Sequence, residues 1–220
     1  MFEYVYFSRP DSKINDKFVF QVRKNLGKEL AKEHPVKADV VIPVPDTSRT
    51  SAEIFAKELG IPYEEGIIKN RYIGRTFIMP SQNKRALAVR MKLNPVRELI
   101  ENKSVVLIDD SVVRGTTLRE IILTVREAGA KEIHVRITSP PIRGPCFYGV
   151  NIPSYTELVA NEKTIEDIRK YLTADSLGYL SIESMQRAID QPICTGCLNE
   201  DYPTECGKKC CVEKKKVPRI

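Results

Sequence analysis

The sequence contains no tryptophan, only two histidines and no apolar run long enough to span a membrane. Its first residues lack the basic start, apolar stretch and small-residue cleavage site of a signal peptide, which predicts a cytoplasmic protein. Of the 220 residues, 42% are hydrophobic and 29% are charged. This balance excludes wholesale disorder and collagen-like repeats, and the length predicts one principal domain with a small appendage.

The net charge of +6 is concentrated at one end of the chain. Residues 207–220 hold six Lys or Arg side chains against a single Glu, so the rest of the chain is close to neutral. A short basic tail is more typical of a solvated end than of a nucleic-acid surface. We therefore expect neither nucleic acid nor a membrane as a partner.

The six cysteines are distributed as unevenly as the charge. Cys146 stands alone, whereas the other five lie within the last 27 residues. We therefore expect a main domain at residues 1–190 and a Cys-rich, basic tail at residues 191–220. Cys194 and Cys197 form a C-x-x-C pair, which brings two thiolates within reach of one ion or cluster. In a reducing cytosol this pattern favours metal binding over disulfides.

Apolar runs alternate with amphipathic stretches, an arrangement that predicts an α/β fold with a mostly parallel sheet flanked by helices. The predicted strands span residues 38–44, 104–108 and 132–138. The predicted helices span residues 16–33, 51–59, 118–127 and 163–190, with a left-handed cap at Gly60 and an N-cap at Thr164. Between residues 63 and 93 no period is visible, and long ordered loops in compact domains are usually functional.

The string VVLIDDSVVRGTT at residues 105–117 ends a predicted strand and opens a predicted helix. Ligands bind at such junctions in open parallel sheets, where loop N–H groups and hydroxyls can hold a phosphate monoester. The predicted phosphate ligands are Ser111, Arg114, Gly115, Thr116 and Thr117. Asp109 and Asp110 would repel a phosphate, so we expect them to face ribose hydroxyls or a magnesium ion. The alternative is that both aspartates only end the strand and cap the helix.

The whole string resembles the signature of type I phosphoribosyltransferases, which bind 5-phosphoribosyl 1-pyrophosphate. Further segments resemble amidophosphoribosyltransferases: YFSRPDS (6–12), IPVPDTS (42–48), IKNRYIGRTFI (68–78), VRMKLNPVR (89–97), REAGAKEIHVRITSPPI (126–142), CFYG and CTGCL. The resemblance implies the type I phosphoribosyltransferase fold with a Cys-rich tail. It also implies the first step of purine biosynthesis, in which ammonia replaces pyrophosphate on the sugar and gives 5-phosphoribosylamine.

The resemblance assigns roles to two further loops. Asp46 and Ser48 would hold the pyrophosphate, while Thr47 would offer a hydroxyl to magnesium beside the two aspartates. By position alone, Thr47 is equally well explained as a helix N-cap.

Residues 69–76 match a catalytic loop that closes over the substrate. Its cations, Lys69, Arg71 and Arg75, would offset charge on the departing pyrophosphate. A solvated basic surface loop is the alternative.

Members of the family also carry a glutaminase domain and, in some cases, a 4Fe-4S cluster on four cysteines. The glutaminase domain is absent from this sequence, so either the chain is a fragment or ammonia comes from solution or from a separate glutaminase. Cys146, Cys194 and Cys197 match three cluster ligands, and the fourth would lie just before Met1. A thiol of the tail, from Cys206, Cys210 or Cys211, is an alternative fourth ligand or a zinc ligand.

Family membership implies two further properties, a homo-oligomer and inhibition by purine nucleotides. Three other functions remain open at this point. They are phosphoribosyl transfer to a nucleobase, a regulatory protein that binds the sugar phosphate without catalysis, and an inert remnant.

Overall fold

The chain alternates strands and helices along most of its length. A computed structural model describes residues 1–70, 92–152 and 154–215, without the side chains of residues 214 and 215. The strands are β1 (Lys13–Ile14), β2 (Lys17–Phe18), β3 (Val40–Pro43), β4 (Ile67–Lys69), β5 (Leu93–Pro95), β6 (Ser104–Asp109), β7 (Glu132–Ile137) and β8 (Ser176–Tyr179). The α-helices are α1 (Val19–Glu33), α2 (Arg49–Leu59), α3 (Arg97–Ile100), α4 (Thr116–Glu127), α5 (Ile165–Leu172), α6 (Ile182–Ile189), α7 (Gly196–Asn199) and α8 (Glu205–Lys215). A π-helical turn spans Glu3–Phe7, and a 3-10 helix spans Tyr155–Glu157.

Within the described residues, a parallel sheet forms in the strand order β3, β6, β7, β8. Val and Ile dominate the first three of these strands, whose residues are largely buried on both faces, as expected for a parallel sheet covered by helices. The register pairs Pro43 with Ile108 and Asp109 with Ile137, so the carboxyl ends of neighbouring strands meet at one edge. The predicted α/β fold with a mostly parallel sheet is confirmed.

Two apolar cores lie on opposite faces of the sheet, because successive strand residues point to opposite sides. Val106 and Ile108 belong to the core that contains α1, α2 and α6. Val105 and Leu107 belong to the core that contains α4 and α5. Full burial of one such aliphatic side chain contributes about 1.5–3 kcal/mol. The two cores therefore fix β6, and with it the loop that follows.

Several predicted boundaries agree with the structure. Each of the three predicted strands is present within two residues of its predicted ends, as β3, β6 and β7. Gly60 adopts a φ of 67° after α2, which confirms the left-handed cap. Thr164 caps α5 in a reciprocal pair with Asp167, which confirms the predicted N-cap. Helix α4 begins at Thr116, two residues earlier than predicted.

The prediction of a continuous helical stretch over residues 163–190 is wrong. Helix α5 ends where Thr173 adopts a left-handed φ of 61°, and β8 follows before α6 begins. β8 pairs with β7 in parallel register, and His134 lies opposite Ser176. The ladder with β7 and burial of Tyr179 and Leu180 override the helical pattern of the sequence.

The predicted start of the first helix at residue 16 is also wrong. Asn15 and Asp16 have positive φ angles of 46° and 65° and form the turn between β1 and β2. A helix cannot pass through such a turn, so α1 begins at Val19.

The long excursion predicted for residues 63–93 contains β4 and ends at the first residue of β5. These two strands pair antiparallel, and Ile68 lies opposite Asn94. The chain therefore leaves and re-enters the described structure at one place. Residues 71–91 lie outside the described residues.

The C-terminal segment packs against the rest of the chain. Tyr202 is 1% exposed, and its hydroxyl donates to the Pro145 carbonyl at 2.6 Å. Its ring lies 4.8 Å from that of Phe147 and so close to Gly196 that a Cβ there would be 2.5 Å from the Tyr202 ring. Cys197 joins the same core as α1. The division at residue 190 remains a prediction. None of the helices in the described ranges combines the length and the apolar character needed to cross a membrane.

Candidate active site

The candidate site lies at the carboxyl edge of the sheet, where the loops after β3 and β6 meet. Parallel pairing of β3 with β6 places these loops side by side, although they are far apart in sequence. The Thr47 hydroxyl donates a hydrogen bond to a carboxylate oxygen of Asp110 across this junction. The Ser48 hydroxyl donates to Asp109 at 3.4 Å. The structure thus brings together two loops that the sequence could only treat separately.

Asp109 and Asp110 form a pair of adjacent carboxyl groups surrounded by hydroxyl and N–H donors. Asp109 accepts a hydrogen bond from the Asp110 amide at 2.9 Å, and Asp110 accepts one from the Ser111 hydroxyl at 2.5 Å. Burial raises the pKa of Asp109 well above its usual range, and the charge of Asp110 raises it further. Burial also raises the pKa of Asp110, against the effect of the Ser111 and Thr47 hydrogen bonds. Such a pair favours a bound cation or a shared proton.

The oxygen atoms around this acidic pair are the type of ligand that binds magnesium. Carboxylate and hydroxyl oxygens from Asp109, Asp110 and Thr47 are the hard ligands that Mg²⁺ prefers. Across the described ranges, no group of three or more His, Cys, Asp or Glu side chains is placed to hold a metal ion. Mg²⁺ usually keeps several waters and is held by one or two carboxylates together with substrate phosphates, so two carboxylates are sufficient.

The loop after β6 has the form of an anion-binding site at a helix N-terminus. Gly115 adopts a φ of 75° just before α4, and a Cβ there would lie 3.0 Å from the Tyr171 ring. Only glycine fits this turn without strain. Thr116 and Thr117 are exposed in the first turn of α4, where unpaired N–H groups and the helix dipole attract anions.

Residues 154–159 contact the loop after β6, which spans residues 110–115. The Val159 amide donates to the Val113 carbonyl at 2.9 Å, which fixes the loop from one side. Arg114 is half exposed and pairs with Glu157, whose Oε2 lies 2.6 Å from Arg114 Nε. Glu157 was not among the predicted site residues, and its position 43 residues after Arg114 gives no local sign of this contact.

At the other end of the site, Lys69 contacts the loop after β3. Lys69 is the last residue of β4, and its Nζ lies 2.5 Å from Asp46 Oδ2. Arg49, in the first turn of α2, lies 3.7 Å from the same carboxylate and 3.2 Å from Glu65. The other predicted loop cations, Arg71 and Arg75, lie outside the described residues.

Tyr179 is a second residue that the sequence did not indicate. Its hydroxyl is buried and has no hydrogen-bond partner in the described part of the chain. Burial raises the pKa of Tyr179, the charge of Asp109 raises it further, and the charge of Arg143 lowers it. Tyr179 thus lies within electrostatic range of the acidic pair, at the end of β8.

In the described part of the chain, none of the six cysteines forms a disulfide. Burial raises the pKa of Cys197 to about 12, and the charges of Cys146 and Cys194 raise it too. The same three thiols act on the Met1 amino group, whose pKa is lowered by burial. The three predicted ligands are thus within electrostatic range of Met1, but among the described residues no three such side chains are placed to hold a metal ion. A 4Fe-4S cluster takes four cysteines, so these three do not complete a set.

The three tail cysteines lie on α8. Cys206 is exposed, and buried Cys211 lies 3.2 Å from the Tyr155 hydroxyl. In the described part of the chain, they do not complete a metal site either.

Comparison with known proteins gives consistent matches. Residues 12–138 match the family model for the phosphoribosyl transferase domain. The amidophosphoribosyltransferase of Methanocaldococcus jannaschii is 58% identical over 206 residues, which are 93% of this chain and 44% of that protein. That of Bacillus subtilis is 52% identical over 210 residues, which are 92% of this chain and 44% of that protein.

A solved structure gives the same result. The glutamine phosphoribosylpyrophosphate amidotransferase from B. subtilis, complexed with ADP and GMP, superposes with a TM-score of 0.85 at 52% identity. The match covers 93% of this chain and 46% of that one. The chain therefore spans a little under half the length of the relatives it matches.

Proposed function

Because this chain belongs to the phosphoribosyltransferase family, we propose that it transfers the 5-phosphoribosyl group from 5-phosphoribosyl 1-pyrophosphate to ammonia. The observation that carries the proposal is the meeting of Thr47 and Ser48 with Asp109 and Asp110, beside a phosphate loop. Relatives named amidophosphoribosyltransferase, at 52–58% identity, support ammonia as the acceptor. The products are 5-phosphoribosylamine and pyrophosphate, as in the first step of purine biosynthesis.

The phosphate loop binds the 5′-phosphate in this proposal. N–H groups and hydroxyls of residues 111–117 fix that end of the substrate at the N-terminus of α4. Ser48 and Lys69 bind the pyrophosphate end, where the Asp46 carboxylate pairs with Lys69 in the free chain. The ribose ring is then held between the two loops, against Asp109 and Asp110.

The reaction needs no side-chain nucleophile. The lone pair of ammonia forms the new C–N bond at the anomeric carbon, while the C–O bond to pyrophosphate breaks and pyrophosphate keeps the electron pair. The nitrogen then loses one proton to solvent. Asp109 and Asp110 stabilise positive charge that develops on the sugar, and Lys69 stabilises negative charge on the leaving group. Asp109, Asp110 and Thr47 would hold Mg²⁺, which would supply positive charge to offset that of the pyrophosphate.

Release of pyrophosphate tests the proposal. The wild-type chain and the Asp109→Asn/Asp110→Asn variant are assayed with the sugar pyrophosphate, ammonium and Mg²⁺. We expect the variant to be at least about 100-fold slower, because it loses charge stabilisation at the reacting sugar. Asp190→Asn, which removes an exposed carboxylate paired with Lys17, is the matched control. Equal rates in the wild type and the double variant would reject the site.

The acceptor is tested in the same assay. Ammonium is replaced by adenine, hypoxanthine or orotate, which are acceptors of nucleobase phosphoribosyltransferases. A faster reaction with any of these bases than with ammonium would reject ammonia as the acceptor.

The remaining proposals concern regulation, assembly and the cysteines. The nucleotides bound to the B. subtilis structure support inhibition of this chain by purine nucleotides. Homo-oligomer formation, ammonia supply by a separate glutaminase and a cytoplasmic location remain predictions. An iron–sulfur cluster would take Cys146, Cys194 and Cys197 as ligands. Iron and sulfide analysis of anaerobically purified chain, with Cys146→Ser as the comparison, tests the cluster.

A further inference from the structure

Each end of the candidate site contains a cation that is paired with a carboxylate of the chain itself. Lys69 pairs with Asp46 at 2.5 Å, and Arg114 pairs with Glu157 at 2.6 Å. In the proposed function, both cations face a phosphate group of the substrate. A carboxylate in the same place would repel that phosphate, so its presence needs an explanation.

Neither carboxylate is buried for the sake of the fold. At the pyrophosphate end, the side chains of Lys69 and Asp46 are 47% and 50% exposed. At the other end, those of Arg114 and Glu157 are 43% and 36% exposed. Exposed ion pairs contribute little to stability, so an incoming anion can displace either carboxylate at a small energetic cost.

Both carboxylates are nevertheless held in place by other groups. Arg49 Nη2 lies 3.7 Å from Asp46 Oδ1. The Ser154 hydroxyl donates to Glu157 Oε1 at 3.4 Å. The neighbouring Tyr155 hydroxyl donates to Glu200 at 2.7 Å, which fixes the 3-10 helix that carries Glu157. These contacts help to keep the two carboxylates beside their cations.

We propose that Asp46 and Glu157 are internal counter-anions, which hold Lys69 and Arg114 in position until the two phosphate ends of the substrate displace them. This inference rests on the proposed function. Each carboxylate keeps one cation oriented in the free chain and lowers the affinity for one end of the substrate. A substrate with a phosphate group at each end displaces both carboxylates, so both pairs lower its affinity, whereas each fragment displaces only one.

Direct binding of the two substrate fragments separates the two ends. Inorganic pyrophosphate with Mg²⁺ and ribose 5-phosphate are each titrated calorimetrically into the wild type, Asp46→Asn and Glu157→Gln. We expect Asp46→Asn to bind pyrophosphate about two- to fivefold more tightly, as removal of one exposed pair predicts, with unchanged binding of ribose 5-phosphate. Glu157→Gln should give the reverse pattern. Both gains should shrink as ionic strength rises.

Asp190→Asn is the matched control, because it removes an exposed carboxylate that lies 2.6 Å from Lys17. It should leave both affinities unchanged. Thermal unfolding of each variant verifies the fold, and Asp46→Ser and Glu157→Ala repeat the test with smaller side chains.

Three outcomes would overturn the inference. The first is weaker or equal binding of pyrophosphate by Asp46→Asn, or of ribose 5-phosphate by Glu157→Gln, since the carboxylate would then be a positioning residue or irrelevant. The second is an equal change in the affinities for both ligands in both variants, which would indicate a general charge effect. The third is a wild-type chain that binds neither fragment, and this result alone would also reject the proposed function.

Discussion

Replacement of Asp109 by Asn should stabilise the fold and remove most of the activity. Burial and the charge of Asp110 raise the pKa of Asp109, so the folded chain disfavours its ionised form. The amide oxygen of Asn can still accept the hydrogen bonds from the Asp110 amide, at 2.9 Å, and from the Ser48 hydroxyl, at 3.4 Å. The substitution therefore removes a charge and keeps the local geometry.

Burial of the Asp109 charge is the larger source of the gain, and the repulsion from Asp110 adds to it. Two unit charges about 5 Å apart repel by about 3 kcal/mol at an effective dielectric of about 20. Hydrogen bonds from Thr47 and Ser111 to Asp110 already offset part of this repulsion. We therefore expect the free energy of unfolding to rise by about 1–2 kcal/mol at pH 8, which moves the thermal midpoint up by about 2–8 °C.

The gain should depend on pH in a definite direction. A carboxyl group with a raised pKa in the folded chain binds its proton more tightly there than in the unfolded chain. The wild-type stability therefore falls as pH rises from about 4, the usual range of Asp, through the raised pKa of the folded state. Asn has no such titration, so the difference between variant and wild type should vanish below about pH 4 and be complete above the raised pKa.

Urea denaturation at pH 3.5 and pH 8, without Mg²⁺ or substrate, measures both quantities. Addition of Mg²⁺ and the sugar pyrophosphate should reverse the order, because ligands stabilise the chain that binds them. Asp190→Asn is the control. A hydrogen bond from Lys17 lowers the pKa of Asp190, so loss of the Asp190 charge should not raise the free energy of unfolding. A variant that is less stable than the wild type at pH 8, or a difference that is equal at both pH values, would refute the reasoning.

Three further predictions concern the phosphate loop, the C-terminal segment and the thiols. Gly115→Ala should lower the free energy of unfolding, measured by urea denaturation, by about 1–3 kcal/mol, because a φ of 75° and the Tyr171 ring at 3.0 Å both oppose a Cβ. Gly60 has a φ of 67° but open space around it, so Gly60→Ala should lower that free energy by only about 1 kcal/mol. Tyr202→Phe should lower the free energy of unfolding by about 1–3 kcal/mol, because the Pro145 carbonyl loses its hydrogen-bond donor. Tyr148→Phe removes an exposed hydroxyl and should change that free energy by less than about 0.5 kcal/mol. Iodoacetamide at pH 8 should label exposed Cys194 and Cys206 but spare buried Cys197, whose pKa is about 12, until urea is added. Equal losses in either pair of variants, or equal labelling of the three thiols in native protein by mass spectrometry, would contradict these expectations.

The turn after β6 could be predicted from sequence because all its parts are contiguous. One stretch of thirteen residues contains the end of a buried strand, the two acids, the left-handed Gly115 and the start of a helix. Each of these features depends on residues that are neighbours in sequence, so the sequence pattern alone is sufficient to predict them. The same is true of the caps at Gly60 and Thr164, which depend on residues within four positions along the chain.

Strand β8 could not be predicted in the same way. Its four residues lie between two helices of eight residues each, and nothing in Ser176–Tyr179 alternates strongly enough to separate it from them. What makes it a strand is the exposed edge of β7 and the place that Gly178 leaves for His34, which a Cβ would approach to 2.7 Å. Both conditions come from residues that are distant in sequence.

The contacts within the site depend on the order of strands in the sheet. Asp46 lies beside Lys69, and Thr47 beside Asp110, because β3 pairs with β6 and the chain re-enters through β5. A sequence gives the residue types in each loop but not the neighbour that the sheet order supplies. Glu157 was missed for this reason, since its contact with Arg114 spans 43 residues.

The acidic pair is the place where folding alone gives no reason for the residues observed. Burial and the charge of Asp110 make ionisation of Asp109 costly, and an amide in place of Asp109 would keep its hydrogen bonds. A residue choice that opposes stability at a ligand-binding edge is the pattern expected where charge serves binding or catalysis. The pH-dependent gain of Asp109→Asn thus measures how much stability the wild-type chain gives up for the charge that the proposed reaction requires.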